Sequence, residues 1–312
     1  MIASILTIAL LLSPSGSKDP KVQAFNPNDI EMPLRVRFAV ATDDAVVVHY
    51  SDGTCKTIAD TANASGIALA NDDTLYVAGP HALRRINIKT GAVALLTDGW
   101  EMIDTPVVSP DGRTVAFAGY TRTAKWSIYT ITGRNGNPRY IAHGFMPAWD
   151  TDGSALLFEN YTDESAQVYR YDPKTRDVRK IKYDEDGSIK NAVSVAVSQD
   201  AWQLSFSDKG GLFVRDRMAY QTRRVTDGTH YDSRQTFSPD GMHLYFIRHT
   251  RDEHGRRVDP RAMSIDLKSG QIEQLMNGPA HAIAVAPPWQ PASFIADSEM
   301  GPPLPGQGGG DC

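Results

Sequence analysis

The chain has 312 residues, 41% of them apolar and 22% charged, with a formal net charge of −5. These values describe an ordinary soluble chain with enough sequence for a sizeable core. They exclude nucleic acid as a partner, because Lys and Arg are scattered among acidic residues and form no basic stripe to attract phosphate.

Residues Ile2 to Leu12 are almost wholly apolar and lead into Ser13-Pro14-Ser15-Gly16-Ser17, small residues of the kind found where a signal peptide is cut. Eleven residues are too few to cross a bilayer, so residues 1–17 read as a signal peptide and the mature chain as one without a stable membrane span. The run lacks the usual preceding Lys or Arg. Export to the periplasm or beyond the cell is the expectation. Residues 18–33 are polar, contain three prolines and show no periodicity, which marks a linker.

From Leu34 onward the pattern is one of short alternating strands separated by Gly, Asp, Asn and Pro. One phrase recurs: Ser109-Pro110-Asp111-Gly112, Thr151-Asp152-Gly153, Ser198-Gln199-Asp200-Ala201 and Ser238-Pro239-Asp240-Gly241. An apolar residue follows each Asp by four positions (Val115, Leu156, Leu204, Leu244) and a Phe follows by six (Phe117, Phe158, Phe206, Phe246). The Asp residues lie 41, 48 and 40 positions apart, the length of a four-stranded blade, so an all-β propeller is predicted.

A degenerate copy runs from Gly66 to Leu96, and an incomplete one from Arg35 to Ile58 lacks a strand. Ala282 to Ala286 has the small apolar character of an inner strand and completes it, with Ser293 to Ala296 as a further candidate. Six blades of four antiparallel strands, closed by pairing the chain's N- and C-terminal strands, therefore occupy residues 34–296. Such closure removes the open sheet edges. Residues 297–312 are Gly- and Pro-rich and read as a disordered tail. Cys55 and Cys312 lie far apart in sequence and are expected as free thiols.

In the repeated phrase Pro fixes φ, Asp accepts hydrogen bonds from the amides after it, and Gly takes the left-handed conformation. The four Asp residues are thus structural. The repeats, with the closing segments Leu95-Leu96-Thr97-Asp98-Gly99 and Arg224-Val225-Thr226-Asp227-Gly228, resemble the WD-like propeller repeats of the TolB family over residues 34 to 296. The resemblance implies a six-bladed propeller of the bacterial periplasm that serves as a protein-binding platform in envelope complexes. It covers the propeller part only.

In a propeller the Asp turns share one face with the turns between third and fourth strands, and the blade-to-blade loops lie on the other. Because the first face consists of repetitive tight turns, binding is expected on the second. The candidate binding residues there are Trp100, Glu101, His143, Phe145, His230, Tyr231, Arg234, Arg251 and His281. Aromatics beside Arg are the composition of a protein-binding hot spot. A protein or peptide partner and a monomeric chain are expected, and no catalytic residue, metal or cofactor is assigned. A second reading stays open, a lyase or hydrolase acting on acidic polysaccharide through His143, His230 and His281 at the channel mouth.

Overall fold

The computed structural model describes residues 35–71, 73–133, 136–162, 165–181 and 192–286. The segments read above as signal peptide, linker and tail, the extra strand at 293–296 and Cys312 lie outside them. Twenty-four strands form six four-stranded antiparallel sheets, and the described residues contain no helix.

The first blade holds β1 (Val36–Ala41), β2 (Val46–Tyr50) and β3 (Cys55–Ile58). The second, from the channel outward, is β4 (Gly66–Asn71), β5 (Thr74–Ala78), β6 (Ala82–Asn87) and β7 (Val93–Asp98). The third is β8 (Met102–Val108), β9 (Thr114–Tyr120), β10 (Ser127–Thr132) and β11 (Arg139–His143). In the fourth are β12 (Phe145–Trp149), β13 (Leu156–Thr162), β14 (Ser165–Tyr171) and β15 (Val178–Lys180). The fifth has β16 (Val193–Val197), β17 (Gln203–Asp208), β18 (Gly211–Asp216) and β19 (Thr222–Arg224). The sixth has β20 (Tyr231–Phe237), β21 (His243–Arg251), β22 (Arg257–Asp266) and β23 (Ile272–Gln274).

The last strand, β24 (Ala282–Val285), becomes the innermost strand of the first blade. Its antiparallel register with β1 pairs Phe38 with Val285, Ala39 with Ala284, Val40 with Ile283 and Ala41 with Ala282. The expected closure by the two chain ends is what the ring uses.

Each repeated turn is held by its own residues. The carboxylates of Asp111, Asp152, Asp200 and Asp240 accept from the amides two positions on, at 3.1, 2.8, 3.0 and 2.9 Å. Ser109, Ser198 and Ser238 donate to the same carboxylates at 2.5 to 2.6 Å. At the fourth position Gly112, Gly153 and Gly241 have φ of 72°, 69° and 70°, and Ala201 is forced to 62°. The following apolar residue and Phe are buried in all four copies. They join four of the six apolar clusters, each of which bridges one pair of neighbouring blades.

The expectation of free thiols fails at Cys55, which is disulfide-bonded. It opens β3 at the tight-turn face, where separation along the sequence is no measure of separation in space.

Candidate functional site

Four inner strands, β8, β12, β16 and β20, carry a break in register near their start. At each break one residue adopts a left-handed backbone: Thr105 (45°), Met146 (48°), Ser194 (58°) and Arg234 (55°). Each stands six positions before its repeat Asp. A non-glycine residue in that region costs about 1–2 kcal/mol, so the conformation needs support from its surroundings. Three of the four bulge amides find it in side chains. Thr105 N–H donates to Asp104 Oδ1 (2.7 Å), Ser194 N–H to Glu159 Oε2 (3.1 Å) and Arg234 N–H to Ser194 Oγ (2.7 Å).

The bulge turns the Arg234 side chain from blade six across the channel to Asp104 in blade three, directly opposite. Its two terminal nitrogens donate to the two carboxylate oxygens of Asp104 at 3.0 and 2.7 Å, and one also reaches Ser65 O at 2.9 Å. Burial works against the guanidinium charge, and Asp104 more than restores it, so its pKa rises. Such a bidentate pair fixes orientation as well as charge.

Glu159 on β13 is only 5% exposed. Burial pushes its carboxyl up to about 7, against the opposing pull of the Ser194 amide and the Arg234 charge. Beside it the Gln235 amide nitrogen donates to Ser194 O. The chain Glu159–Ser194–Arg234–Asp104 thus links blades four, five, six and three.

Below this layer lies a cavity of about 680 Å³ walled by the inner strands. Ile67, Leu69, Val107, Val195 and Ile283 make its walls mainly apolar, and Arg234 and Gln235 stand at its polar end. Its other end is lined by Ser109 to Arg113, Thr151 and Gln199, so the cavity opens among the repeated turns. That mouth lies on the face the repeats had marked as purely structural. The tight turns are short, and short turns leave the channel beside them unobstructed.

Of the residues singled out from sequence, Arg234 alone belongs to this network. Trp100 is a core residue, its indole donating to Thr97 Oγ1 at 3.0 Å and packed edge-on against Phe117 and Tyr129. Glu101 meets Arg122 at 3.6 Å, and Phe145 packs on Trp126. The histidines are held separately: His143 by Ser127 Oγ (3.0 Å), His230 by Thr229 Oγ1 (2.9 Å) and His281 by Asp43 (2.7 Å). Among the described residues no group of three or more His, Cys, Asp or Glu is placed to hold a metal ion.

Tyr231 and Arg251 do come together. β21 and β22 are the longest strands of the ring and project as a hairpin, paired out to Arg251 and Arg257. At its base Asp232, fully buried, accepts from Arg248 Nε and one terminal nitrogen at 2.8 Å each. This clamp sets the Tyr231 ring, which carries the Arg257 guanidinium 3.3 Å from its centre and that of Arg251 at 5.8 Å. Among the described residues neither Arg251 nor Arg257 has a carboxylate within ion-pair distance. His249, edge-on to Tyr231, has its pKa lowered by burial and then by the Arg257 charge.

Sequence reasoning missed Asp104, Glu159, Ser194, Gln235 and Arg257. One signal was available for the bulges: aligning the repeats on their Asp places Thr105, Met146, Ser194 and Arg234 in one column.

No known family model matches the sequence, and no curated protein is detectably similar to it. Solved structures share the fold. TolB from Acinetobacter baumannii superposes with a TM-score of 0.65 at 17% identity, covering 81% of this chain and 67% of that one. A TolB from Agrobacterium tumefaciens gives 0.63 at 16%, covering 80% and 91%. A chain of the nidogen/laminin complex gives 0.63 at 11%, covering 80% and 98%. The chain is therefore a six-bladed β-propeller with a TolB-like fold. No helix among the described residues is long and apolar enough to cross a membrane.

Proposed function

We propose that this protein is an exported, non-enzymatic, TolB-like propeller of the cell envelope that holds an acidic segment of a protein partner. The carrying observation is Tyr231 bracketed by Arg251 and Arg257, two arginines with no carboxylate of their own among the described residues, at the base of a projecting hairpin. An aromatic ring flanked by guanidinium groups on a rigid base supplies both an anchor and charge complementarity. The buried Arg248–Asp232 pair fixes that base before any partner arrives. Two features support export: the apolar N-terminal run, and a disulfide at Cys55, which suits an oxidising compartment. That a nidogen/laminin complex contains the same architecture supports the reading by analogy of fold.

The test is photocrosslinking in living cells from a residue placed at His254, on the hairpin tip, with Tyr220 on the tight-turn face as the control. One partner should be captured from position 254 and be absent from position 220. Capture should disappear with Arg251→Glu and Arg257→Glu together. A partner captured equally from both faces, or retained by the double variant, rules the site out.

A further inference from the structure

The cavity below the cross-ring pair takes no part in holding the hairpin, yet its lining has a definite chemistry. Thr105, at the bulge, and Pro110, at the repeated turn, both line it, and the inner strand covers about 16 Å between them. With about 680 Å³ it has the volume of a small-molecule site. At its polar end two buried oxygens have no hydrogen-bond partner among the described residues, Gln235 Oε1 and Thr105 Oγ1. They come from blades six and three at nearly the same height, five and six positions before their repeat Asp. Gln235 is 6% exposed, and its amide nitrogen is already engaged with Ser194 O, so the oxygen that remains can only accept.

Charge narrows the ligand further. Arg234 directs its terminal nitrogens to the Asp104 carboxylate and Ser65 O. The other charged side chains of the lining among the described residues, Asp111 and Arg113, stand at the mouth. An ion that entered would therefore lose its water against walls with no counter-charge to offer.

We propose that the channel is a binding site for a neutral amphiphile, a mainly apolar molecule ending in a hydroxyl or amide N–H, which enters head first from the tight-turn face and donates to Gln235 Oε1. The head satisfies an acceptor that the fold buries without a donor. Thr105 Oγ1, able to donate or accept, serves a second polar atom of the head. The apolar body gains by leaving water for the walls made by Ile67, Leu69, Val195 and Ile283. The site lies on the ring axis and does not rest on the role given to Tyr231.

The probe is N-phenyl-1-naphthylamine, a neutral apolar fluorophore with one N–H, titrated into the intact protein. Its fluorescence should rise to saturation at one probe per chain. Decan-1-ol should displace it at about tenfold lower concentration than either 1-methoxydecane, which has no donor, or ionised decanoate. The absence of a saturable rise, or equal displacement by all three, would overturn the assignment.

Two variants locate the site. Gln235→Leu removes the acceptor and should erase the advantage of the alcohol over the ether, and an advantage that persists would rule out Gln235 as the group that recognises the head. Thr151→Trp combined with Gln199→Trp narrows the mouth at turn positions where two other copies carry Pro. This double variant should weaken probe binding about tenfold with an unchanged unfolding midpoint. Undiminished binding would put the probe on the exposed Trp202 and Met218 of the same face and rule out the cavity. Should Gln235→Leu fail to fold, the alcohol and ether on the intact protein decide the question together with the mouth variant.

Discussion

The two ends of the channel are built on opposite principles. At the tight-turn end the third, fifth and sixth blades each close their repeated turn with a Ser hydroxyl and an Asp carboxylate two positions apart, and only in the fourth, where Arg217 reaches Asp150 at 3.1 Å, does a neighbour join in. At the bulge end two of the three supported amides depend on another blade, Ser194 on Glu159 and Arg234 on Ser194, and the Arg234 side chain reaches Asp104 across the ring. Local closure can be copied from blade to blade. Closure across a ring cannot, because each partner must differ from the residue it faces.

Breaking the cross-ring pair should have the largest effect. Arg234→Ala leaves the Asp104 carboxylate without its counter-charge and should lower unfolding free energy by about 3–5 kcal/mol in a denaturant titration. The double variant Arg234→Met with Asp104→Leu should recover most of that loss. A single-variant loss within the noise of the titration would show that the pair is peripheral to the ring.

The pH dependence comes next. Glu159 has its pKa raised from the ordinary 4.5 to about 7, so between those values the native chain keeps a proton that the unfolded chain releases. Stability should therefore fall as pH climbs through this window, by about 3 kcal/mol in all, and Glu159→Gln should flatten the slope. Identical profiles for the two proteins would place the pH sensitivity elsewhere.

Gly66 sharpens the comparison from the side. A Cβ there would lie 2.5 Å from Thr105 N and 2.9 Å from Asp104 Oδ1. Gly66→Ala should cost about 2 kcal/mol by overpacking, and little of that should return when Asp104 is replaced by Ala, because the Thr105 amide and Pro106 Cδ at 2.8 Å remain. Strong non-additivity of the two changes would mean that the crowding acts through the Asp104 carboxylate and not through the backbone beside it.

The smallest effect belongs to the tight-turn end. Ala201 holds φ at 62° where the other copies have Gly, so Ala201→Gly should stabilise by about 0.5–1 kcal/mol. It should leave the behaviour of Arg234 variants unchanged, and any coupling between the two would contradict the locality of the turns.

The same contrast explains what could be read from the sequence. The turns were legible because their chemistry spans a few residues and recurs, and with them came the blade count, the ring closure and the buried Phe positions. The pair of Asp104 and Arg234 was not, since 130 positions separate its members and neither has a local signature. The bulges were hidden because Thr, Met, Ser and Arg are not residues that announce a left-handed backbone. The histidines drew attention by position, but side-chain direction decided their roles, and each was already engaged nearby. Arg234 was chosen for the face it enters from and was found to point the other way, into the channel.

Ring closure has a consequence for the order of events in folding. The innermost strand of the first blade joins Phe38 to Val285, 247 positions along the chain. Until β24 has been made, β1 has no inner neighbour, and the first blade stays one strand short through almost the whole of synthesis. Contacts so distant in sequence are slow to form, and an uncovered strand edge attracts other chains in the meantime. Propellers that close in this way then complete in a single late step, and a chain cut before residue 282 should accumulate as an open arc prone to self-association.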